Sequence, residues 1–282
     1  MLSGEQLAYQ WYLMRKNPLT LAGLVIIVVV CVAALLAPVV SPYDPDAIDW
    51  GVRLVGPGRG HLFGTDDVGR DIFSRVLWGA RLSVGVGLMI VMLSLVVGLV
   101  IGSIAGYWGG MMDTVIMRLM DMILAFPSLI LAMALSAALG PNLRNAMLAI
   151  AVVRIPIYVR LVRSQALGVR EREYVRAARA FGARPVWIIV RHILPNTIAP
   201  VLVQSTLDIG GAILTAAALS FLGLGAQQPT AEWGAMVSAG RRFILDQWWY
   251  ATFPGAAIFV TAIGFNLFGD GLRDILDPRQ RR

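Results

Sequence analysis

The chain has 282 residues, 57% of them hydrophobic and only 15% charged, with a net charge of +7. That much apolar surface exceeds what one or two soluble domains need for their cores. Cys31 is the only cysteine, so neither an internal disulfide framework nor a thiolate metal cluster can form. The arginines lie beside apolar runs of membrane length instead of forming one basic domain, which argues against a nucleic-acid partner.

The first apolar run, Leu19 to Val40, follows Arg15 and Lys16 and contains no charge. It is long enough to cross roughly 30 Å of hydrocarbon and reads as a transmembrane helix. A signal peptide is the rival reading, but its apolar region would be shorter and no small-x-small cleavage site precedes Pro42. Further runs cover Leu82–Gly106, Thr114–Leu139, Leu143–Val162, Thr197–Leu222 and Ala251–Phe268. The expectation is therefore an all-α integral membrane protein with six transmembrane helices.

With both termini cytosolic, most of the 24 Lys and Arg residues fall on the inner side, as the positive-inside rule requires. The arginines between Arg53 and Arg81 are the main exception, and six aspartates from Asp44 to Asp71 offset them. This topology divides the chain into a cytosolic segment 1–18, a first helix 19–40, an extracytoplasmic segment 41–81, a five-helix core 82–273 and a cytosolic tail 274–282. Within the core lie a cytosolic hairpin 164–196 and an extracytoplasmic loop 223–250. Trp233, Trp248, Trp249 and Tyr250 in that loop suit the membrane-water boundary, where an apolar ring meets a polar edge.

Gly98, Gly102 and Gly106 recur every four residues and leave one helix face without side chains, so another helix can approach closely. Such a face is either a moving or subunit interface or static packing, and glycine spacing does not separate the two. Pro127 and Pro156 interrupt backbone hydrogen bonding and predict kinks in the third and fourth spans.

Arg154 and Asp208 fall near the middle of the fourth and fifth spans, at matching distances from the hairpin. A lone charge at that depth is costly, so the two are expected to form a buried ion pair, either bracing the helices or meeting a charged substrate terminus. Gln204, Ser205, Thr206, Thr215 and Asn266 add polar groups that line a hydrated path or hydrogen-bond neighbouring helices. Outside the membrane, Asp66, Asp67, Arg70 and Asp71 lack a repeated calcium-loop spacing, and local salt bridges and helix capping are the expectation.

The segment Glu173–Gly182, continued through Val190-Arg-His-Ile-Leu-Pro-Asn196, reads as two short helices broken at Gly182 and ended before Pro195. Ala177, Ala178 and Gly182 form a small-residue edge, and Arg172, Arg176, Arg179 and Arg184 place charge around it, a surface suited to docking. Ala177-Ala178, three residues, Gly182, nine residues and then His192-Ile-Leu-Pro195 resembles the coupling loop of binding-protein-dependent ABC importer permeases. Arg176 stands where that pattern has glutamate and His192 where it has isoleucine, so no role of the glutamate is carried over.

Four further stretches are similar to the second permease subunit of dipeptide, oligopeptide, glutathione and nickel importers: Gly64–Arg75, Ser220–Gly225, Ala231–Met236 and Phe265–Arg273. The stretch Asp246-Gln-Trp-Trp-Tyr250 looks most like permeases for D,D-dipeptides. The resemblance implies a type I ABC importer permease fold in the bacterial inner membrane and a cargo of short peptides, with nickel or another small solute as the alternative. It also implies a homologous second permease, two ATP-binding subunits that hold ATP and Mg, an extracytoplasmic binding protein and a bilayer around the chain. Its ATPase-coupling residues map to Arg172, Arg176, Ala177, Ala178, Arg179, Gly182, Ala183, Leu194 and Pro195.

The residues agree with a non-catalytic role. Lys16, the only lysine, has no Gly-x-x-x-x-Gly-Lys frame for a phosphate-binding loop, so ATP must be hydrolysed elsewhere. His61 and His192 are too far apart for His-Glu-x-x-His, and both lie outside the spans, where neither serves an intramembrane serine protease. No metal site or cofactor is expected in this chain. A proton-driven secondary transporter would show titratable residues along a path, and the spans are nearly free of acids apart from Asp208.

Overall fold

A computed structural model describes residues 17–276; the terminal stretches 1–16 and 277–282 lie outside the described residues, and with them Arg15, Lys16 and most of the expected tail. The described chain is helical. Helix α1 covers Pro18–Val40, α2 Ile72–Trp108, α3 Gly110–Leu124, α4 Ser128–Leu139 and α5 Leu143–Arg170. Two short helices follow, α6 Glu173–Ala180 and α7 Pro185–Ile188, then α8 Leu194–Phe221, α9 Trp233–Gly240 and α10 Trp249–Leu276. Four helices and the continuous α7–α8 unit are long and apolar enough to span a membrane, and α3 with α4 makes a sixth span if counted as one bent unit.

Local chemistry sets the helix starts. The Asn17 side chain accepts from the Leu19 and Thr20 amides ahead of Pro18, and the Asp71 carboxylate accepts from the Ser74 amide at 2.7 Å. Asn142 caps α5, and Glu232 caps α9 through the Gly234 and Ala235 amides. Each cap satisfies amides that have no partner within the helix. Asp71 also carries the start of α2 well ahead of the apolar run at Leu82, so the helix overruns the bilayer core on that side.

The third span differs from the sequence expectation. In place of one kinked helix over Thr114–Leu139, α3 and α4 meet at 89° across Ala125–Pro127. The ring of Pro127 disfavours helical backbone in the residue before it, and the Leu131 amide restarts the helix on the Pro127 carbonyl. Pro156, by contrast, sits inside α5 without ending it.

The bundle is organised around a close α2–α5 pair. A Cβ added at Gly98 would stand 2.3 Å from Tyr158 Cβ, one at Gly102 2.7 Å from the Val159 carbonyl oxygen, and one at Gly106 2.5 Å from Ala166 Cβ. Only side-chain-free positions permit this approach. Helix α8 packs against both members of the pair and α10 packs against α8. The outermost helix, α1, lies on α10, where Gly23 faces Gly264 and Thr20 faces Gly271. Helix α3 buries only Met120.

Candidate functional site

The polypeptide from Arg170 to Pro195 forms a hairpin at one end of the bundle. Helix α6 closes with the Gly182 amide donating to the Arg179 carbonyl and the Ala183 amide to the Ala178 carbonyl, each at 3.0 Å. This is the two-bond Schellman cap, and it needs a left-handed residue, met here by Gly182 at φ +78°. The spacing of Ala178, Gly182 and Ala183 is therefore a helix-stop geometry. Beyond it the sequence expectation fails: the second arm does not end before Pro195. It runs from α7 through a π-helical stretch, Ile189–Ile193, straight into α8, with Pro195 in the first turn. The ring of Pro195 has no amide to donate and would crowd the carbonyl four residues back, and a widened π turn relieves both.

A second apolar core anchors the hairpin. Val175, Ile188 and Ile193 are fully buried and join Tyr107 from α2 with Ala166 and Val169 from α5. Arg170 donates to the Tyr107 carbonyl at 3.3 Å, and Arg179 lies 5.2 Å over the Tyr107 ring. Arg172, Arg176, Ala177, Arg179, Gly182 and Pro195 are exposed, while Ala178, Ala183 and Leu194 are half-buried. Arg172, Arg176, Arg179 and Arg184 make no ion pair with the described residues.

The outer surface of the hairpin carries side chains that motif reasoning passed over. Phe181 is 92% exposed beside Gly182, and Tyr174, Val186, Trp187 and Val190 are exposed as well. His192 packs between Tyr174 and Trp187, at ring-centroid distances of 5.4 and 5.0 Å. Together they make an apolar patch that nothing among the described residues covers. One signal was available: Phe181 falls at the helix stop, where no partner helix covers it.

Midway along the bundle, Arg154 on α5 donates through Nη1 to Asp208 Oδ1 on α8, and through Nη2 to Thr215 Oγ1 at 3.1 Å. Tyr158 donates to the other Asp208 oxygen at 3.0 Å, completing the satisfaction of a charge that hydrocarbon would not tolerate alone. Tyr158 was missed in the sequence because a tyrosine one turn from Arg154 looks like ordinary packing. A cavity of about 140 Å³ lies against Arg154 and Thr215 and is walled by Ile123, Phe126 and Ser128 at the α3–α4 break. Of the remaining polar candidates, Gln204 is half-buried and Asn266 exposed, and neither hydrogen-bonds into this network.

The opposite end of the bundle is closed by a cap in which 64–75 is the hub. Asp66 accepts from Arg70 Nε at 2.6 Å and from the Val68 and Arg70 amides. Arg75, 1% exposed, donates to the Pro45 carbonyl, to Asp46 and to the Pro229 carbonyl. Tyr250 donates to Asp67 at 2.8 Å, His61 meets Asp71 at 2.9 Å, and buried Trp233 donates to the Val76 carbonyl. Among the described residues no three of His, Cys, Asp and Glu are grouped to hold a metal ion.

The fold and its sites define a multi-pass membrane subunit. Residues 98–282 match the family described as binding-protein-dependent transport system inner membrane component, and residues 6–57 match the N-terminal transmembrane domain of oligopeptide transport permease C. The chain belongs to this family of ABC importer permeases and is an inner-membrane protein. It is 56% identical to the Escherichia coli protein named "Probable D,D-dipeptide transport system permease protein", over 95% of this chain and 90% of that one. It is 50% identical to a dipeptide transport system permease of Alkalihalophilus pseudofirmus, over 95% and 88%. A glutathione transport system permease of Escherichia coli is 42% identical over 95% and 89%.

Proposed function

We propose that the chain is the permease subunit of a short-peptide importer, that the hairpin from Arg170 to Pro195 receives the stroke of a separate ATPase, and that the bundle forms half of the translocation path. The exposed Phe181 at the helix stop carries this reading. The hairpin's base is anchored in its own apolar core, while its outer face, Phe181 included, is left uncovered. The likeness to dipeptide and D,D-dipeptide permeases supports a peptide cargo over nickel. The hairpin end faces the cytosol, where two ATP-binding subunits hydrolyse ATP with Mg, and the cap end faces the binding protein. A homologous permease completes the path.

Arg154, Asp208 and Tyr158 brace the two helices that lead into the hairpin, so that the stroke moves α5 and α8 together. Gln204, Thr215 and Asn266 are the path-lining candidates, with Thr215 at the cavity beside the α3–α4 break. A zwitterionic peptide needs transient hydration along its route, so selection falls chiefly to the binding protein.

The test is Phe181→Ala in the complete transporter reconstituted in bilayers, with peptide-stimulated ATPase and uptake measured together. Truncating a hot-spot aromatic at an interface costs on the order of 2 kcal/mol, so coupling should drop by about thirtyfold while assembly in the membrane is kept. Normal coupling in this variant, or in Gly182→Trp, overturns the docking model.

A further inference from the structure

Helix α3 is loosely held. Its inner face, Asp113, Ile116, Met117, Met120 and Ile123, keeps helical spacing, yet only Met120 is buried. Charge joins it to α5. Arg163 grips the Asp113 carboxylate with two hydrogen bonds of 2.5 Å, and Arg160 donates to Asp121 at 2.5 Å. The second pair is about half exposed on both partners, at 51% and 56%.

Both ends of α3 are backbone breaks. At its start Gly109 and Gly110 stand at φ +65° and +58°, a left-handed conformation that glycine adopts without strain, and no side chain caps the helix. At its far end the chain turns through 89° into α4. A helix with few buried contacts between two such breaks belongs to the least stable end of a fold, from which moving elements are drawn.

The pairing register defines what α3 covers. Asp113 meets Arg163 near the hairpin base, Asp121 meets Arg160 further in, and Ile123 and Leu124 join Ile157 and Arg154 around the cavity of about 140 Å³ at mid-bundle. The helix thus lies over α5 from the cavity to the hairpin end. Lifting it would uncover Arg154, Arg160 and Arg163 along one stretch of α5. Charged side chains within spans face protein or a water-filled cavity and not lipid, so a half-exposed ion pair in this span suits the wall of a hydrated route.

We propose that α3 is a strap, hinged at Gly109–Gly110 and at Ala125–Pro127 and latched to α5 by the Asp113–Arg163 and Asp121–Arg160 pairs, which closes the mid-bundle cavity off from the hairpin end and opens when the latch parts. The inference rests on the importer reading, in which cargo leaves at the hairpin end. Water entering the open seam solvates both ions of each pair, so parting them strands no charge in hydrocarbon.

The complete transporter, made free of cysteine with Cys31→Ser, carries Ala132→Cys as a probe, at a position that lines the cavity and is 1% exposed. A charged, membrane-impermeant methanethiosulfonate is applied in bilayers from the hairpin side, and the labelling rate is measured without nucleotide. Asp113→Asn and Asp121→Asn should each raise that rate by about fivefold, the upper worth of a partly exposed ion pair, and together by more than about tenfold. The charge exchange Asp113→Arg with Arg163→Asp should bring the rate back towards that of the unaltered latch, which a general loosening of the helix would not do. In a second arm, Asp113→Cys and Arg163→Cys are bridged by propanediyl bismethanethiosulfonate. Peptide uptake should stop, and reduction of the bridge should restore it in the same molecules.

Labelling left unchanged by both asparagine variants overturns the strap, and so does uptake that continues at the normal rate across the bridge. Uptake by the unbridged transporter separates the two levels. If it is normal and the bridge has no effect, only the strap fails. If there is no uptake, the importer reading fails, and the labelling of Ala132→Cys decides by itself whether α3 opens.

Discussion

At the cap end, Arg75, Asp66 and Glu232 are almost wholly buried, whereas at the hairpin end Phe181, Val186 and Trp187 stand exposed. The cap ties together Pro45, Arg75 and Pro229 by directional bonds to carbonyls and carboxylates, over sequence separations as long as 154 residues. The hairpin has one small apolar cluster beneath it, and above it Arg172, Arg176 and Arg184 pair with no acid among the described residues. The two ends thus differ in how far this chain alone covers their contact groups. The cap pairs its buried charges internally, and the hairpin leaves aromatic side chains that nothing among the described residues covers.

The contrast is broken most directly at Arg75. Removing one partner of a buried charged set leaves the others unsatisfied, at a cost of about 3–5 kcal/mol. Arg75→Met should therefore lower the thermal stability of the detergent-purified subunit sharply; a melting temperature within a degree or two of the unaltered protein would mean that the cap is not held by its charges.

Asp208→Asn tests the middle of the bundle. It strands Arg154 at membrane depth, for which about 2.5–3.5 kcal/mol is expected. The double variant Arg154→Met/Asp208→Leu should recover most of the loss, and a double-mutant cycle on folding in bilayers measures the coupling. Additive losses would show that the contact carries no bracing.

Gly98→Val addresses the seam between the two ends. The added side chain meets Tyr158 Cβ, and overpacking should cost roughly 1–3 kcal/mol, read as lower melting temperature and weaker hairpin-to-cap coupling. The smallest stability effect is expected for Phe181→Ala, within about 0.5 kcal/mol, because an exposed side chain leaves no cavity. A large stability loss there would mean that Phe181 is part of the hairpin's own core, which would reverse the contrast.

The sequence made the spans legible because hydrocarbon demands long apolar runs, and the runs after Leu19, Leu82, Leu143, Thr197 and Ala251 each coincide with a helix. The Ala-Ala and Gly182 spacing was legible as a motif, and the structure supplies its cause in the Schellman cap. The right angle before Pro127 was not legible, since a proline inside an apolar run predicts a kink and only the surroundings decide whether the helix resumes in line. Nor was the continuity through Pro195: sequence rules end helices at proline, and a π turn removes the clash. The cap's partners were hidden for another reason. Arg75 and Pro229 are far apart in the chain, and no local periodicity announces a contact of that range.

Helix α2 has 37 residues and so measures about 55 Å, well beyond the thickness of a bilayer's apolar core. Its first turns hold Arg75 in the cap, and its last hold Tyr107 against the hairpin's core. A single hydrogen-bonded rod thus runs from one water-exposed surface to the other, gripped along its length by α5 through the glycine seam. Helices resist compression along their axes, so a displacement applied at Tyr107 reaches Arg75 without passing through any loop. In this respect α2 is one stiff element joining the two ends of the bundle, whose length does not depend on the softness of the membrane between.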